Sequence, residues 1–363
     1  MTGAIHTGWR SRLPTFGFGA AAIGNLYAAV PEEDAMETVR AALNAGIRYF
    51  DTAPFYGFGL SERRLGAALA QSAVADEVVL STKVGRRLVA SSQHEARGAR
   101  HGFVDAEPFE PVFDYSYGGV MESFEQSLER LGRSRVDILL AHDLGRMTHG
   151  DLHPTYFRQF MEGGYRAMRE LRDAGRVSAI GLGVNEWEIC EEVLREADFD
   201  VFLLAGRYTL LDQTSLLSFL PLCEERRIPV IIGAPFNSGA LITGTRAGGP
   251  VYFNYEVAPN WVIDRLRQLE SLCAEFAVPL AAAALQFPLA HPQVVSVIPG
   301  MASSEQVNIT VESLRSAIPP QFWQHLRAEG LLPSAAPLPS AALLPSAAPL
   351  PSATAIPPAG EFG

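Results

Sequence analysis

IRYFDTAPFYGFGLSERRLGAALAQSAVADEVVLSTK, residues 47–83, contains one complete supersecondary unit. Its first five residues, with Ile47, Tyr49 and Phe50, and the run VVLST at 78–82 are mainly apolar or β-branched segments, the pattern of strands covered on both faces. Between them, turn residues at 53–59 give way to an amphipathic stretch at 61–70 that reads as a helix. Strand, helix and strand in so short a span form a crossover unit, whose two strands run parallel in one sheet.

Outward from this unit the same alternation runs from residue 16 to about 316. Further strands are predicted at 16–20, 136–141, 179–184, 201–205, 230–234 and 294–298. Helices are predicted near 32–45, 118–131, 156–174, 187–196, 214–226, 260–276 and 304–316. Local end signals agree: Pro31 with Glu32 and Glu33 opens the first helix, Gly46 closes it, and Ser303 with Gln306 forms a capping box at the last. Eight strands alternating with eight helices predict a closed (β/α)8 TIM barrel, with an open doubly wound sheet as the alternative.

Two segments stand outside the alternation. Residues 86–117 form a long insert after the third strand, on the side where barrel enzymes keep their active sites, and are expected to shape a substrate pocket. Beyond a barrel domain of residues 1–330 the chain turns Pro/Ala/Ser-rich, and LLPSAAPLPSAA at 331–342 recurs as LLPSAAPLPSAT at 343–354. Such a sequence offers little apolar surface for a core, so 331–363 is expected to be a disordered, semi-extended tail. It is either a docking segment or cover over the barrel, or a tandem duplication without function.

The chain has 363 residues, 48% of them hydrophobic and 19% charged, the balance of a globular protein with a large core. A net charge of −11, with no Lys/Arg run longer than a pair, argues against nucleic acid as a partner. Cys190, Cys223 and Cys273 show neither metal-ligand nor disulfide spacing and are expected to be reduced core thiols. Residues 276–304 carry no Asp, Glu, Lys or Arg, but four prolines divide them, so a buried helix followed by a buried strand is expected in place of a membrane span. The expected protein is cytoplasmic, a monomer or weak homo-oligomer, with a small-molecule substrate and no metal or membrane partner.

Four polar residues stand at the ends of adjacent predicted strands: Asp51, Tyr56 in the turn that follows it, Lys83 and His142. Singly, each has an ordinary structural role: Asp as a helix cap, Lys in solvent, Tyr at a rim, His in a core. At one mouth of a barrel they make a set with a chemical purpose. A phenol loses its proton only near pH 10, and a neighbouring ammonium held by a carboxylate should favour its phenolate. A histidine across the substrate oxygen could polarise a carbonyl or hold a hydroxyl.

These residues, with GIRYFDTAPFYG at 46–57 and Ser61-Glu62-x-x-Leu65-Gly66, resemble the aldo-keto reductase superfamily over about residues 14–316. The resemblance implies that Asp51, Tyr56, Lys83 and His142 are a catalytic tetrad serving hydride transfer to or from a nicotinamide cofactor. GRYTLLDQ at 206–213 and GAPFNSG at 233–239 are most similar to the aldose 1-dehydrogenase branch. That branch includes L-fucose, D-threo-aldose and L-galactose dehydrogenases and pyridoxal 4-dehydrogenase. It implies oxidation of a cyclic hemiacetal, an aldose first and pyridoxal next, to a lactone. An NADPH-consuming aldehyde or ketone reductase and a non-catalytic barrel are the other readings.

By the same resemblance Asn185 binds the carboxamide and Tyr208 is a candidate aromatic platform. Phe236, Asn237, Ser238 and Gly239 are expected to wrap the pyrophosphate, and Gly300, Ser303 and Gln306 to lie at a phosphate-binding helix start. Relatives that prefer NADP carry Lys and Arg where this chain has Gly300 and Gln306, so NAD is expected over NADP, with Arg315 as an alternative cation. Phe55, Arg86 and Trp187 are expected to contact substrate. The Gly17-x-Gly19 and Gly181-x-Gly183 pairs are incomplete as dinucleotide fingerprints, so no Rossmann domain is expected.

Overall fold

The structure, a computed structural model, describes residues 8–91, 98–246 and 248–340. Eight parallel strands follow one another around a sheet: β1 Phe18–Gly19, β2 Tyr49–Asp51, β3 Val79–Val84, β4 Ile138–His142, β5 Ala179–Val184, β6 Val201–Ala205, β7 Val230–Gly233 and β8 Val294–Ile298. The sheet closes on itself. Gly17 N–H donates to Val297 O at 3.0 Å and Gly19 N–H to Pro299 O at 2.9 Å, joining β8 to the chain around β1.

Strand alternation fixes what each residue faces. Tyr49, Val79, Ile138, Leu140, Val201, Leu203, Ile231 and Ile298 pack together inside the barrel. Leu80, Val84, Leu139, Ala141 and Leu204 pack with residues of the surrounding helices. Trp9, on a short helix Gly8–Arg12, joins the inner cluster, a plug that the sequence pattern does not reveal. The same alternation turns Lys83 and His142 inward at the C-terminal ends of β3 and β4.

The glycine pairs that resemble fingerprint fragments make room instead. A Cβ on Gly17 would sit 2.6 Å from Tyr49, and one on Gly183 would sit 3.0 Å from Lys83 Cε. The interior is therefore too crowded at these points for any side chain.

Helices surround the sheet: α1 Glu32–Asn44, α2 Leu60–Ala70, α3 Tyr117–Leu131, α4 Tyr165–Asp173, α5 Glu188–Leu194, α6 Phe219–Arg226, α7 Asn260–Glu275, α8 Leu280–Leu289, α9 Ser304–Arg315 and α10 Pro320–Ala328. The charge-free stretch resolves into buried α8 and then β8. Among the described residues no single helix is long and apolar enough to cross a membrane, although α7 and α8, bent by 101°, pass that test as a pair. The predicted helix at 156–174 is interrupted by a π-helical turn, Phe160–Gly164. There Gly163 and Gly164 let the helix approach the backbone of residues 115–117, which an added Cβ would meet at 2.5 to 2.7 Å. The insert is partly regular: Arg86–Ala90 pairs antiparallel with Phe109–Phe113. All three cysteines are free and buried.

The expectation of a disordered tail from Leu331 needs correction over 331–340. Leu331, Leu332 and Ala336 are buried in the main core cluster. They follow α10, a helix the periodicity did not suggest, which ends with Gly330 in the left-handed region and Leu331 N–H donating to Leu326 O. Arg265 and Arg327 donate to the carbonyls of Leu331 and Ala336. Two adjacent leucines at a helix end thus outweigh the low-complexity composition. The remainder of the duplicated segment, 341–363, lies outside the described residues.

Truncation after Glu329 is accordingly expected to lower the unfolding midpoint, because each buried Leu contributes roughly 1.5–3 kcal/mol. Truncation after Ser340 should leave the midpoint within about 2 °C by thermal denaturation, as its composition predicts. Equal midpoints for the two truncations would contradict the docking of residues 331–336.

Candidate active site

Lys83 and Asp51 are both almost fully buried and meet at 2.6 Å. The ammonium uses all three of its donors: Asp51 Oδ2, Thr52 O at 3.0 Å and Tyr56 Oη at 3.0 Å. Asp51 Oδ1 accepts from Ser81 Oγ at 2.7 Å, and Ser81 in turn lies 3.0 Å from the Tyr49 hydroxyl. Lys83 is thereby held by groups on β2, β3 and the turn after β2, which brings the phenol of Tyr56 to the barrel mouth.

One sequence expectation fails in this state of the site. The Tyr56 phenol is pushed well above its ordinary value, first by burial and then by the charges of Asp51 and Asp143, with Arg86 opposing. Lys83 donates to the phenol oxygen at 3.0 Å, but in the resting site burial and the two carboxylates outweigh that stabilisation of the phenolate. Tyr56 is a neutral hydroxyl here.

His142 stands across from Tyr56, the rings perpendicular with centroids 5.8 Å apart. Burial, then the positive charges of Arg86 and Lys83, hold its imidazole well below the usual histidine range, so it is neutral. Its Nδ1 is buried without a partner. Its backbone carbonyl accepts from the buried Tyr115 hydroxyl at 2.6 Å, and that hydroxyl lies 3.1 Å from His149 Nε2. Asp143, the next residue, adopts a left-handed φ of 50° and joins three elements. It accepts from Arg86 through Oδ2 and from Asn185 Nδ2 at 3.0 Å through Oδ1, while His142 Nε2 lies 3.5 Å from Oδ2.

These groups open into a cavity of about 570 Å³. Its walls include Phe55, Phe103, Tyr27, Tyr255, Leu26 and Leu203, with Arg86, Asn185 and Asn254 as polar members. Asn254 and Tyr255 come from the connection between β7 and α7, which reaches across the mouth. Tyr255 Oη lies 3.5 Å from Asn185 Oδ1, and Arg207 Nη1 donates to Asn254 Oδ1 at 2.8 Å.

The tetrad, Asn185, Phe55 and Arg86 thus converge as the sequence suggests, whereas three aromatic residues do not. Tyr208 is fully buried against Phe287 and His291 and presents no face to the cavity. Trp187 lines a neighbouring groove and donates to Thr214 Oγ1. Phe236 belongs to the main core cluster. Each is next to or near a motif residue, but the turns after the strands direct their side chains elsewhere. Asn237 Nδ2 donates to Gly206 O at 3.1 Å and its Oδ1 is unpartnered. Ser238 accepts from Tyr255 N–H. Gly239, at φ 91°, caps a short helix. Gly300 bridges Gly19. At α9 Ser303 Oγ accepts from Gln306 N–H as expected, while Gln306 Oε1 accepts from Ala302 N–H and not from Ser303, so the capping box is displaced by one residue. Among the described residues no group of His, Cys, Asp or Glu is arranged to hold a metal ion.

Asp143, Tyr115, His149, Asn254 and Tyr255 join the site without being marked by the sequence pattern. The His-Asp dipeptide and the long β7–α7 connection on the active-site side were the available signals.

Residues 15–329 match the aldo/keto reductase family, and the chain belongs to it. It is therefore an NAD(P)-dependent oxidoreductase. Pyridoxal 4-dehydrogenase of Microbacterium luteolum is 44% identical over 328 residues, covering 87% of this chain and 94% of that protein. D-threo-aldose 1-dehydrogenase of Pseudomonas sp is 36% identical over 324 residues, covering 89% and 95%. A glycerol dehydrogenase from Gluconobacter oxydans shares the fold with a TM-score of 0.67 at 20% identity, covering 90% of this chain and 93% of that one.

Two outcomes follow from the site. Tyr56→Phe should lower kcat about 10²–10⁴-fold while leaving NADH affinity, read by fluorescence titration, near wild type; turnover close to wild type would remove Tyr56 as the proton carrier. A pH dependence of stability is expected from the histidines. His149, buried beside Tyr115, is lowered to about 4 by burial and then by the charges of Arg86 and His153, and His142 is lowered as well. The unfolded chain takes up these protons first, below the ordinary value of about 6.5, so stability falls as pH drops from there toward 4. The unfolding midpoint should decline from pH 7 to pH 5, and His149→Gln should flatten that decline; an unaltered slope would contradict it.

Proposed function

We propose that the protein oxidises a flat cyclic hemiacetal of the pyridoxal type to its lactone, using NAD in preference to NADP. The observation that carries this reading is the Tyr56 hydroxyl, hydrogen-bonded to Lys83 and facing neutral His142 at the floor of an aromatic-walled cavity. Asp51, Tyr56, Lys83 and His142 act together there. His142 steadies the carbinol oxygen. Tyr56, once ionised, takes the O–H proton as the carbon–oxygen double bond forms, and Lys83 stabilises the phenolate while Asp51 holds the ammonium in place. The bound oxidised nicotinamide supplies the acceptor for the hydride leaving the same carbon. Because the ring oxygen is already bonded to that carbon, the product is a lactone and no water enters.

The reverse direction suits the resting site equally well, since the neutral phenol is then the proton donor. The aromatic walls, Phe55, Phe103, Tyr27 and Tyr255, suit stacking on a planar ring. This moves the pyridoxal-type substrate ahead of the aldose that the sequence placed first, in line with the 44% identical relative. An aldopyranose is the second reading, supported by the D-threo-aldose relative.

The residues present fit a dinucleotide. Asn185 would hold the carboxamide, and the amides of Phe236 and Ser238, which make no hydrogen bond among the described residues, with Asn237 Oδ1 would meet the pyrophosphate end. Near the start of α9, Gly300 has no side chain and Gln306 Oε1 accepts from Ala302 N–H, so neither offers a cation to a 2′-phosphate. Arg315 ends the same helix, roughly 16 Å away at 1.5 Å per residue.

Mass spectrometry of the first product from pyridoxal and NAD should give the lactone, with kcat/KM for NAD at least about tenfold above that for NADP. Free acid as the first product would overturn the hemiacetal reading, and equal kcat/KM values the cofactor preference.

A further inference from the structure

We propose that Arg86 forms a subsite for an anionic oxygen carried on the atom next to the reacting ring substituent of the substrate. The proposal rests on the hemiacetal reading above and adds the feature by which one such substrate is chosen over another.

Arg86 begins the insert hairpin, three residues after Lys83, and its side chain is 12% exposed. The guanidinium lies 3.9 Å from the Phe55 ring centroid and 4.9 Å from that of Phe113. Among the described residues only one of its five donors, on Nη2, is engaged, by Asp143. Nε is buried with no partner, and Nη1 makes no hydrogen bond among the described residues. An Nε–H buried without an acceptor is costly, and a bound acceptor would relieve that cost. Its planar fork presents separate edges, so Asp143 can hold one edge while a ligand takes another.

The position suits the chemistry. Arg86 Nη2 and His142 Nε2 both approach the same Oδ2 of Asp143, at 2.5 and 3.5 Å, so these two nitrogens are at most about 6 Å apart. A ligand with its carbinol oxygen between Tyr56 and His142 would therefore bring an oxygen on the neighbouring ring atom against Arg86. Pyridoxal has that arrangement, a phenolic oxygen on the ring carbon next to the one that bears the hemiacetal carbon. A cation in an aromatic cleft favours the ionised phenol. Asp143 acts here as a positioning residue: its other oxygen is fixed by Asn185, so the guanidinium is held in place before substrate arrives.

The test compares pyridoxal with 3-deoxypyridoxal, which forms the same hemiacetal without the ortho oxygen, in wild type, Arg86→Met and Arg86→Lys. Wild type should prefer pyridoxal about 10–100-fold in kcat/KM, the range of a charge-assisted hydrogen bond, with the difference mainly in KM. Arg86→Met should reduce the ratio to about 3 or less, and Arg86→Lys should recover part of it. A ratio in Arg86→Met equal to that of wild type, or equal losses on both substrates, would overturn the subsite while leaving the hemiacetal reading intact. Wild type forming lactone from neither substrate would overturn the hemiacetal reading and the subsite with it.

Discussion

The buried ion pair between Lys83 and Asp51 is the constraint on which the rest of the site depends. Withdrawing both charges from water costs several kcal/mol per ion, and their attraction offsets that only when every remaining donor and acceptor is matched. Here the matching is complete for the ammonium, which reaches Asp51, Thr52 O and Tyr56. The consequence is geometric as much as electrostatic. Lys83 cannot move without leaving a buried carboxylate unpaired, so Tyr56 is anchored by a group that is itself immobile.

The barrel supplies what this pair requires. Lys83 points into the interior because β3 alternates, and it fits there because Gly183 on β5 leaves the space a side chain would fill. The helix carrying Trp9 joins the opposite, apolar end of the interior, leaving the polar residues together at the C-terminal end. A second polar layer surrounds His142: Tyr115 and His149 hold its backbone, while Asp143 gathers Arg86 and Asn185. Positive charge from Arg86 and Lys83, added to burial, keeps the imidazole neutral, so the site holds a hydroxyl and a neutral ring in place of two ions.

The strands and the tetrad were legible because both follow from period and position: apolar runs mark parallel strands, and polar residues at their C-terminal ends converge by topology. Residues that depend on turn geometry were not legible. Tyr208 and Trp187 sit within a few residues of strand ends, yet one turns into the helical layer and the other into an adjacent groove. Asp143 is not legible because an Asp after a His has no distinctive pattern, and its role depends on Arg86 and Asn185 arriving from other parts of the chain. Tyr255 reaches the mouth only through a long connection whose path no periodicity encodes. Composition does not reveal the docking of 331–340 because it averages over a window, whereas docking there depends on two leucines beside a helix end that no periodicity marks.

Stopped-flow observation of nicotinamide absorbance in Lys83→Met tests the central claim most directly, since that change removes the charge while keeping a long apolar side chain in the same space. The account predicts that the single-turnover hydride-transfer rate falls at least about 100-fold while NADH still binds. A transfer rate within a few-fold of wild type would contradict the dependence of Tyr56 on the buried ion pair.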